Sequence, residues 1–339
     1  MIFQKIYYPL AGLSLLCAVA LPAHGQSVID RTNETLFEED AAERFEDDGW
    51  QTEAAPSLAD DETYDLGPQY LLMPGTPAHE WFRAMVDFQY IRTSNPTLVE
   101  DDLRESSDLF LSSAQFGLMT PRKKFLTGEI ESFTGIRYQL FRYGIADGNE
   151  DISGLPVRDN DFDALTLFSD LNWKKDLWQV KFGIRWTELE NDLNGSGFYE
   201  EFVPNWSISR SFQHGRKGLF TAAYSGAWYI TKSDSFTSFR DDLNDRVINT
   251  LSVSYLRRIS QKLYVEPSVR ASYAVYSNTL AGDREDTLLS ARVNLIYYFK
   301  KDLAARFFVN HQERDSTGLG IADYGNTEVG LGGSLSFSF

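Results

Sequence analysis

Seven basic residues, Arg83, Arg137, Lys181, Arg185, Arg270, Arg292 and Arg306, stand at alternate positions inside apolar stretches of a 339-residue chain. In WQVKFGIRW (178–186), Lys181 and Arg185 share one parity with Gln179 and Gly183, while Trp178, Val180, Phe182, Ile184 and Trp186 hold the other. In LYVEPSVRASYAV (263–275), Glu266 and Arg270 alternate with Val265, Pro267, Val269 and Ala271 in the same way. A guanidinium is a planar fork that binds carboxylates and sulfates through two hydrogen bonds. A face carrying several of them offers anion binding and a local field that draws anions in. Acids of the same parity are fewer: Asp87, Asp170, Glu266 and Glu328.

Covalent and metal chemistry find less support. No arrangement suggests a Ser-His-Asp triad. The loop DGNEDI (147–152) spaces Asp147, Asn149 and Asp151 like a calcium loop, but Ile152 stands where Gly is required and Arg158 where a bidentate Glu belongs. No metal ligand set, cofactor or enzymatic activity is therefore expected, and no phosphate-binding glycine loop is seen.

Strict alternation is the signature of a strand with one apolar and one polar face. It recurs from Trp81 to Phe339, and predicts about twelve strands, near 82–94, 107–119, 131–144, 162–173, 177–188, 200–212, 217–231, 246–258, 262–276, 286–299, 302–313 and 326–339. The stretches 107–119 and 200–212 alternate poorly, so ten to fourteen strands fit. Tight turns at 174–176, 260–261 and 300–302 alternate with long polar loops at 95–106, 145–161, 232–245 and 277–285. Turns at one end and loops at the other describe an up-and-down antiparallel β-barrel in an outer membrane, with turns in the periplasm and loops outside. A secreted sandwich would not sort its connections this way. Trp178 and Trp186, about 27 Å apart at ~3.4 Å per residue, then sit at the two membrane interfaces, as does Phe339. The mean hydropathy of −0.33 is no objection, because only alternate residues meet lipid and no helix needs to span.

The ends differ from the barrel. Residues 1–25 read as a cleaved secretory signal, with Lys5, an apolar run to Leu21 and Ala23-His24-Gly25 at the cut. Cys17, the single cysteine, lies within it, which leaves a mature chain with no disulfide. Residues 26–80 are an acidic, mostly disordered periplasmic segment. Positions 26–79 hold 14 Asp/Glu and 2 Arg, a net of −12 out of −17 overall, which argues against nucleic acid. Three readings of this segment stay open: a solvated linker, a helix through Phe37, Ala41 and Phe45 that docks on a periplasmic partner, or a strand of chain entering the barrel through Tyr70-Leu71-Leu72-Met73.

The closing LSFSF resembles the C-terminal signal read by the barrel-assembly machinery of Gram-negative outer membranes, with Ser334 where a Gly is usual. The stretch 293–339 looks like the last hairpins of uncharacterised porin-like barrels, some of which accompany exopolysaccharide export. That resemblance implies a class and contact with lipid, lipopolysaccharide and the assembly machinery, and carries no functional residues. Of the later histidines, His79, His214 and His311, only His311 falls outward near a loop end, where barrel phospholipases hold a His and a Ser. FVNHQERDS has no matching Ser, and His311 reads as an interfacial polar residue.

The expectation is thus an outer-membrane barrel over 81–339 whose lumen is lined by Arg83, Arg137, Lys181, Arg185, Arg270, Arg292, Arg306 and Glu266. Its expected role is porin-like passage of small polar, anionic solutes or acidic oligosaccharides. The alternative is a non-conducting structural or assembly barrel for surface polysaccharide export, with the acidic segment holding a partner.

Overall fold

The computed structural model describes residues 81–96, 106–145, 161–191, 197–215, 217–233, 242–278, 283–300, 302–318 and 323–339. The expected signal peptide, the acidic segment and the loop 147–152 lie outside the described residues. In chain order the strands are β1 (Phe82–Thr93), β2 (Ser107–Met119), β3 (Lys123–Phe125), β4 (Gly128–Tyr143), β5 (Phe162–Lys175), β6 (Trp178–Asn191), β7 (Gly197–His214), β8 (Gly218–Ser233), β9 (Arg246–Arg258), β10 (Leu263–Tyr276), β11 (Arg284–Lys300), β12 (Leu303–Ser316) and β13 (Tyr324–Ser338). Each long strand pairs antiparallel with its chain neighbours, β2 reaches β4 directly, and β1 pairs with β13. The sheet therefore closes as an up-and-down barrel of twelve long strands and leaves no free edge among them. The short β3 is an addition that alternation is too brief to reveal: three residues that fold back on Gly128–Ile130.

An even number of long strands puts both ends of the barrel chain on one rim. There the N–H groups of Trp81 and Phe82 donate to the Phe339 carbonyl (3.0 and 2.9 Å), and the Phe339 N–H donates to the Phe82 carbonyl (3.0 Å). The rings of Phe82 and Phe339 stack at 5.5 Å. The same rim carries the tight turns. Asp176 at φ 52° and Gly215 at φ 65° supply the left-handed conformation that short hairpin turns need and these residue types tolerate.

The ladders assign each side chain to a face. On β6, Phe182 and Ile184 point outward and are half exposed, whereas Gly183 points inward between Asp170 of β5 and Asn205 of β7. A Cβ at 183 would lie 2.2 Å from Asp170 Oδ1, so glycine leaves the room in which Asp170 reaches Lys181. The outer surface is banded. Near the turn rim it shows Trp81, Phe82, Trp178, Phe212, Phe299 and Phe339, then aliphatic residues such as Ile184, Leu251, Val269 and Leu289, then Tyr90, Tyr138, Trp228 and Tyr273. Beyond that second aromatic band the outward residues turn polar, with Arg92, Arg142 paired to Asp163 (2.7 Å), Glu188 and Glu313. The strands thus overhang the apolar band on the loop side.

Inside, the loop half is not polar throughout. Ile91, Leu109, Leu111, Phe141, Phe162 and Leu189 pack with Tyr143, Tyr199 and Phe308 in a buried cluster. This is why 107–119 alternates poorly: Leu109 and Leu111 are apolar although they face inward, while Phe110 between them faces out.

Candidate functional site: the basic lumen and its packed outer end

Below that cluster the interior opens into a cavity of about 400 Å³. Two kinds of wall create it. On β7 to β10 the inward side chains are small: Ser207, Ser209, Ala223, Ser225, Ser252, Ser254, Ser268 and Ser272. They leave volume and present hydroxyl groups. Beside and across from them, the lining carries nine Arg/Lys (Arg83, Arg122, Arg137, Lys174, Lys181, Arg185, Arg270, Arg292, Arg314) against four Asp/Glu (Glu131, Asp170, Glu266, Asp286). A chain of net charge −17 thus encloses a cationic space.

Neighbours hold these cations in place. Arg137, buried on β4, donates through Nε to Gln115 Oε1 of β2 at 2.8 Å, makes a second contact to the same oxygen through Nη2, and lies 5.9 Å from the Phe168 ring. Lys181 reaches Asp170 at 2.9 Å. At the turn rim Glu131 bridges Arg122 (2.8 Å) and Lys174 (3.4 Å). Arg292 and Arg306 both lie against the Phe308 ring, at 5.4 and 5.5 Å. These contacts fix the positions of the cations in the lining.

The structure brings Arg83, Arg137, Lys181, Arg185, Arg270, Arg292 and Glu266 to one cavity lining. Arg306 faces inward but packs behind Phe308 and does not line that cavity. Asp87 accepts a hydrogen bond from Gln89 (2.7 Å), and Glu328 is buried with Asn326 (3.0 Å). Trp178 faces outward at the turn rim under the Arg210 guanidinium (4.9 Å), and Trp186 faces outward eight residues on. His311 also faces out, with Nδ1 2.9 Å from Thr327 Oγ1 and Nε2 3.3 Å from Glu313. Among the described residues no group of His, Cys, Asp and Glu is placed to hold a metal ion.

Sequence reasoning missed the outer end of the lumen. Arg284 grips Asp286 through Nε–Oδ1 (3.1 Å) and Nη2–Oδ2 (2.6 Å), and Ser316 donates to Asp286 Oδ1 (2.6 Å). Arg284 lies 3.9 Å from the Tyr276 ring, Arg246 4.0 Å from Tyr229, and Arg314 4.4 Å from Tyr324. All six are buried, Arg246 completely. Guanidinium groups on aromatic faces gain cation–π attraction that strengthens as water is removed. With the apolar cluster across from it, this Arg–Tyr layer fills the loop half of the barrel. The signal that finds Arg246 is its parity with Thr250, Ser252 and Ser254 on β9.

A closed antiparallel sheet whose outward face is apolar between two aromatic bands is built for a lipid bilayer. The chain is an outer-membrane β-barrel. No family model matches it, and no curated protein does. Solved structures do. The β domain of the Bordetella autotransporter BrkA is similar over 76% of this chain and 100% of its own, at 12% identity and a TM-score of 0.43. An outer membrane channel from Pseudomonas putida F1 is similar over 76% of this chain and 96% of its own, at 11% and 0.48. The KdgM porin in complex with disordered oligogalacturonate covers 75% of this chain and 99% of its own, at 10% and 0.38. These likenesses are of fold alone. The barrel's turn rim, with Trp81 and Phe339, faces the periplasm in this class. Because the Phe339 ring stacks on Phe82 where β13 meets β1, Phe339→Ala should lower the amount of heat-modifiable, folded barrel in outer-membrane fractions several-fold; unchanged yield would show that this stacking adds nothing to closure.

Proposed function

We propose that the barrel is a porin-like channel whose lumen favours small anionic solutes, acidic sugars among them, and that the Arg–Tyr layer is its narrowest section. The carrying observation is the excess of Arg and Lys over Asp and Glu in the lining of the cavity. Apolar walls focus such a field and raise the local concentration of anions. Guanidinium forks suit carboxylates and sulfates, and the serine wall supplies hydroxyls for neutral polar groups. A solute passing outward or inward must displace the contacts of Arg246, Arg284 and Arg314 with their tyrosines.

One observation favours a second reading, a non-conducting barrel that serves envelope organisation or polysaccharide export. The buried cluster and the Arg–Tyr layer together pack the loop half with side chains. Planar-bilayer recordings separate the two. Under a KCl gradient the reversal potential should report anion preference, and Arg185→Glu/Arg270→Glu should move it toward cations. Folded protein that stays silent at every voltage would leave the structural reading, and unchanged selectivity in the variant would take these residues out of the solute path.

A further inference from the structure

We propose that the outer face of the turn rim holds an anionic phospholipid of the periplasmic leaflet, of the phosphatidylglycerol class, with its phosphate between Lys175 and Arg210 above the Trp178 indole. The site depends on which rim faces the periplasm and not on conduction.

Three adjacent strands build it. Lys175 of β5 pairs with Trp178 of β6, and Trp178 pairs in turn with Arg210 of β7. Directly paired residues share a face of the sheet. Because Trp178 faces outward, all three side chains stand in one row on the lipid side. Lys175 and Arg210 thus flank the indole about 10 Å apart, two strand spacings of ~4.8 Å. Two long side chains leaning toward each other across that gap can meet on one phosphate. The indole fixes the depth, since Trp in a barrel belongs at the headgroup level. Arg210 is held in place by two rings, its guanidinium lying 4.9 Å from Trp178 and 4.9 Å from Phe212. Ring contacts engage the faces of the guanidinium, whereas its N–H donors lie in the plane, as a fork that suits two oxygens of a phosphate.

Below the row the same strands turn to hydrocarbon. Val180 is opposite Ile208 and Phe182 opposite Trp206, all at outward positions. An acyl chain descending from a phosphate at Arg210 would run along this strip. A phosphodiester with hydrocarbon tails therefore matches both parts of the site, and free phosphate only the first.

Charge on the outer face is sorted by height. Lys123, Arg257, Lys262 and Lys300 continue the basic rim and are exposed. Among the described residues no Asp or Glu takes an outward strand position on the turn half; Asp176 and Asp302 lie in the turns themselves. On the loop half outward acids stand opposite one another, Asp163 with Glu190 and Glu188 with Glu200. Long basic side chains can snorkel at either interface. Here they gather on the side where the leaflet is phospholipid. Each basic residue close to anionic lipid strengthens binding about fivefold.

The test uses the full chain from Gln26, folded in a zwitterionic detergent, with retained lipid counted by native mass spectrometry. Dioleoyl-phosphatidylglycerol should stay bound at least several-fold more than dioleoyl-phosphatidylcholine, which has the same tails, and equimolar inorganic phosphate should not displace it. Lys175→Gln/Arg210→Gln should lower phosphatidylglycerol retention about tenfold or more. Lys262→Gln/Lys300→Gln removes the same charge elsewhere on the rim and should have a much smaller effect. Both are compared as heat-modifiable, folded barrel. Lys175→Gln alone leaves the Arg210 ring contacts intact and should lower retention about fivefold, which covers the case in which losing Arg210 disturbs folding. Equal retention of the two lipids, or equal losses in the two double variants, would overturn the site and leave at most a diffuse attraction to the leaflet. Retention of lipopolysaccharide in preference to phosphatidylglycerol would overturn it too, because that lipid belongs to the other leaflet. Silent bilayers would count against the channel and leave this lipid result intact.

Discussion

Ile184→Arg is expected to destabilise the barrel in a bilayer by about 2–4 kcal/mol, the cost of an arginine on the lipid face near mid-membrane. Ile184 points outward from the middle of β6, is 50% exposed, and sits between Ser169 of β5 and Pro204 of β7. No lumen water reaches that side, and the side chain is too deep to place its charge at either interface without bending the surrounding lipid. The matched control is Ser252→Arg on the small-residue wall, which adds a cation to a wet interior and should cost far less. Urea titration of folding into lipid vesicles reads both. Equal stabilities would reverse the assignment of inside and outside for the whole barrel, because adjacent strands are locked in register by their ladders.

Alternation in the sequence is clean only where the two faces of a strand meet different surroundings. Through the part of β1, β4, β6 and β10 that crosses the apolar band, side chains alternate between hydrocarbon and a polar lumen, and two such different surroundings write a clean period of two. Arg137, Lys181, Arg185 and Arg270 were therefore legible as inward residues. The signal fails where both faces meet similar surroundings. Above the lipid band the outward positions are polar as well, so the ends of β11 and β12 are hard to see. Arg284 begins β11 two residues before the predicted start, and Arg314 lies just past the predicted end of β12. In β2 the failure has the opposite cause, since inward Leu109 and Leu111 are as apolar as the lipid-facing residues beside them.

Periodicity also says which side a residue takes and not which partner it meets across the barrel. The buried cluster draws on β1, β2, β4, β5, β6, β7 and β12. The Arg–Tyr layer likewise joins Arg246 to Tyr229 of β8, and Arg284 to Tyr276 of β10. Such contacts depend on ladder register and closure. They explain why the lumen's charge was legible while its packed outer end was not.

Phe308 joins those two halves, and Phe308→Ala should cost about 3–5 kcal/mol, the range for removing a fully buried aromatic side chain. The ring is buried in the loop-side cluster, and Gly330 on β13 makes room for it: a Cβ at 330 would lie 2.3 Å from the ring. Arg292, from the cavity lining, and Arg306, outside it, both rest on the same ring. Truncation thus opens a void and releases two guanidinium groups from their aromatic support. Collapse of the flexible arginine side chains into the space would pull the cost toward the lower end of that range. Phe308→Leu separates the effects: it keeps most of the buried volume, so its cost should be smaller, yet it removes the π face just as fully. If the barrel conducts as proposed, both variants should therefore shift its ion selectivity alike while differing in urea midpoint. If selectivity tracks the midpoint instead, Phe308 acts only as packing, and the position of Arg292 in the lumen does not depend on its ring.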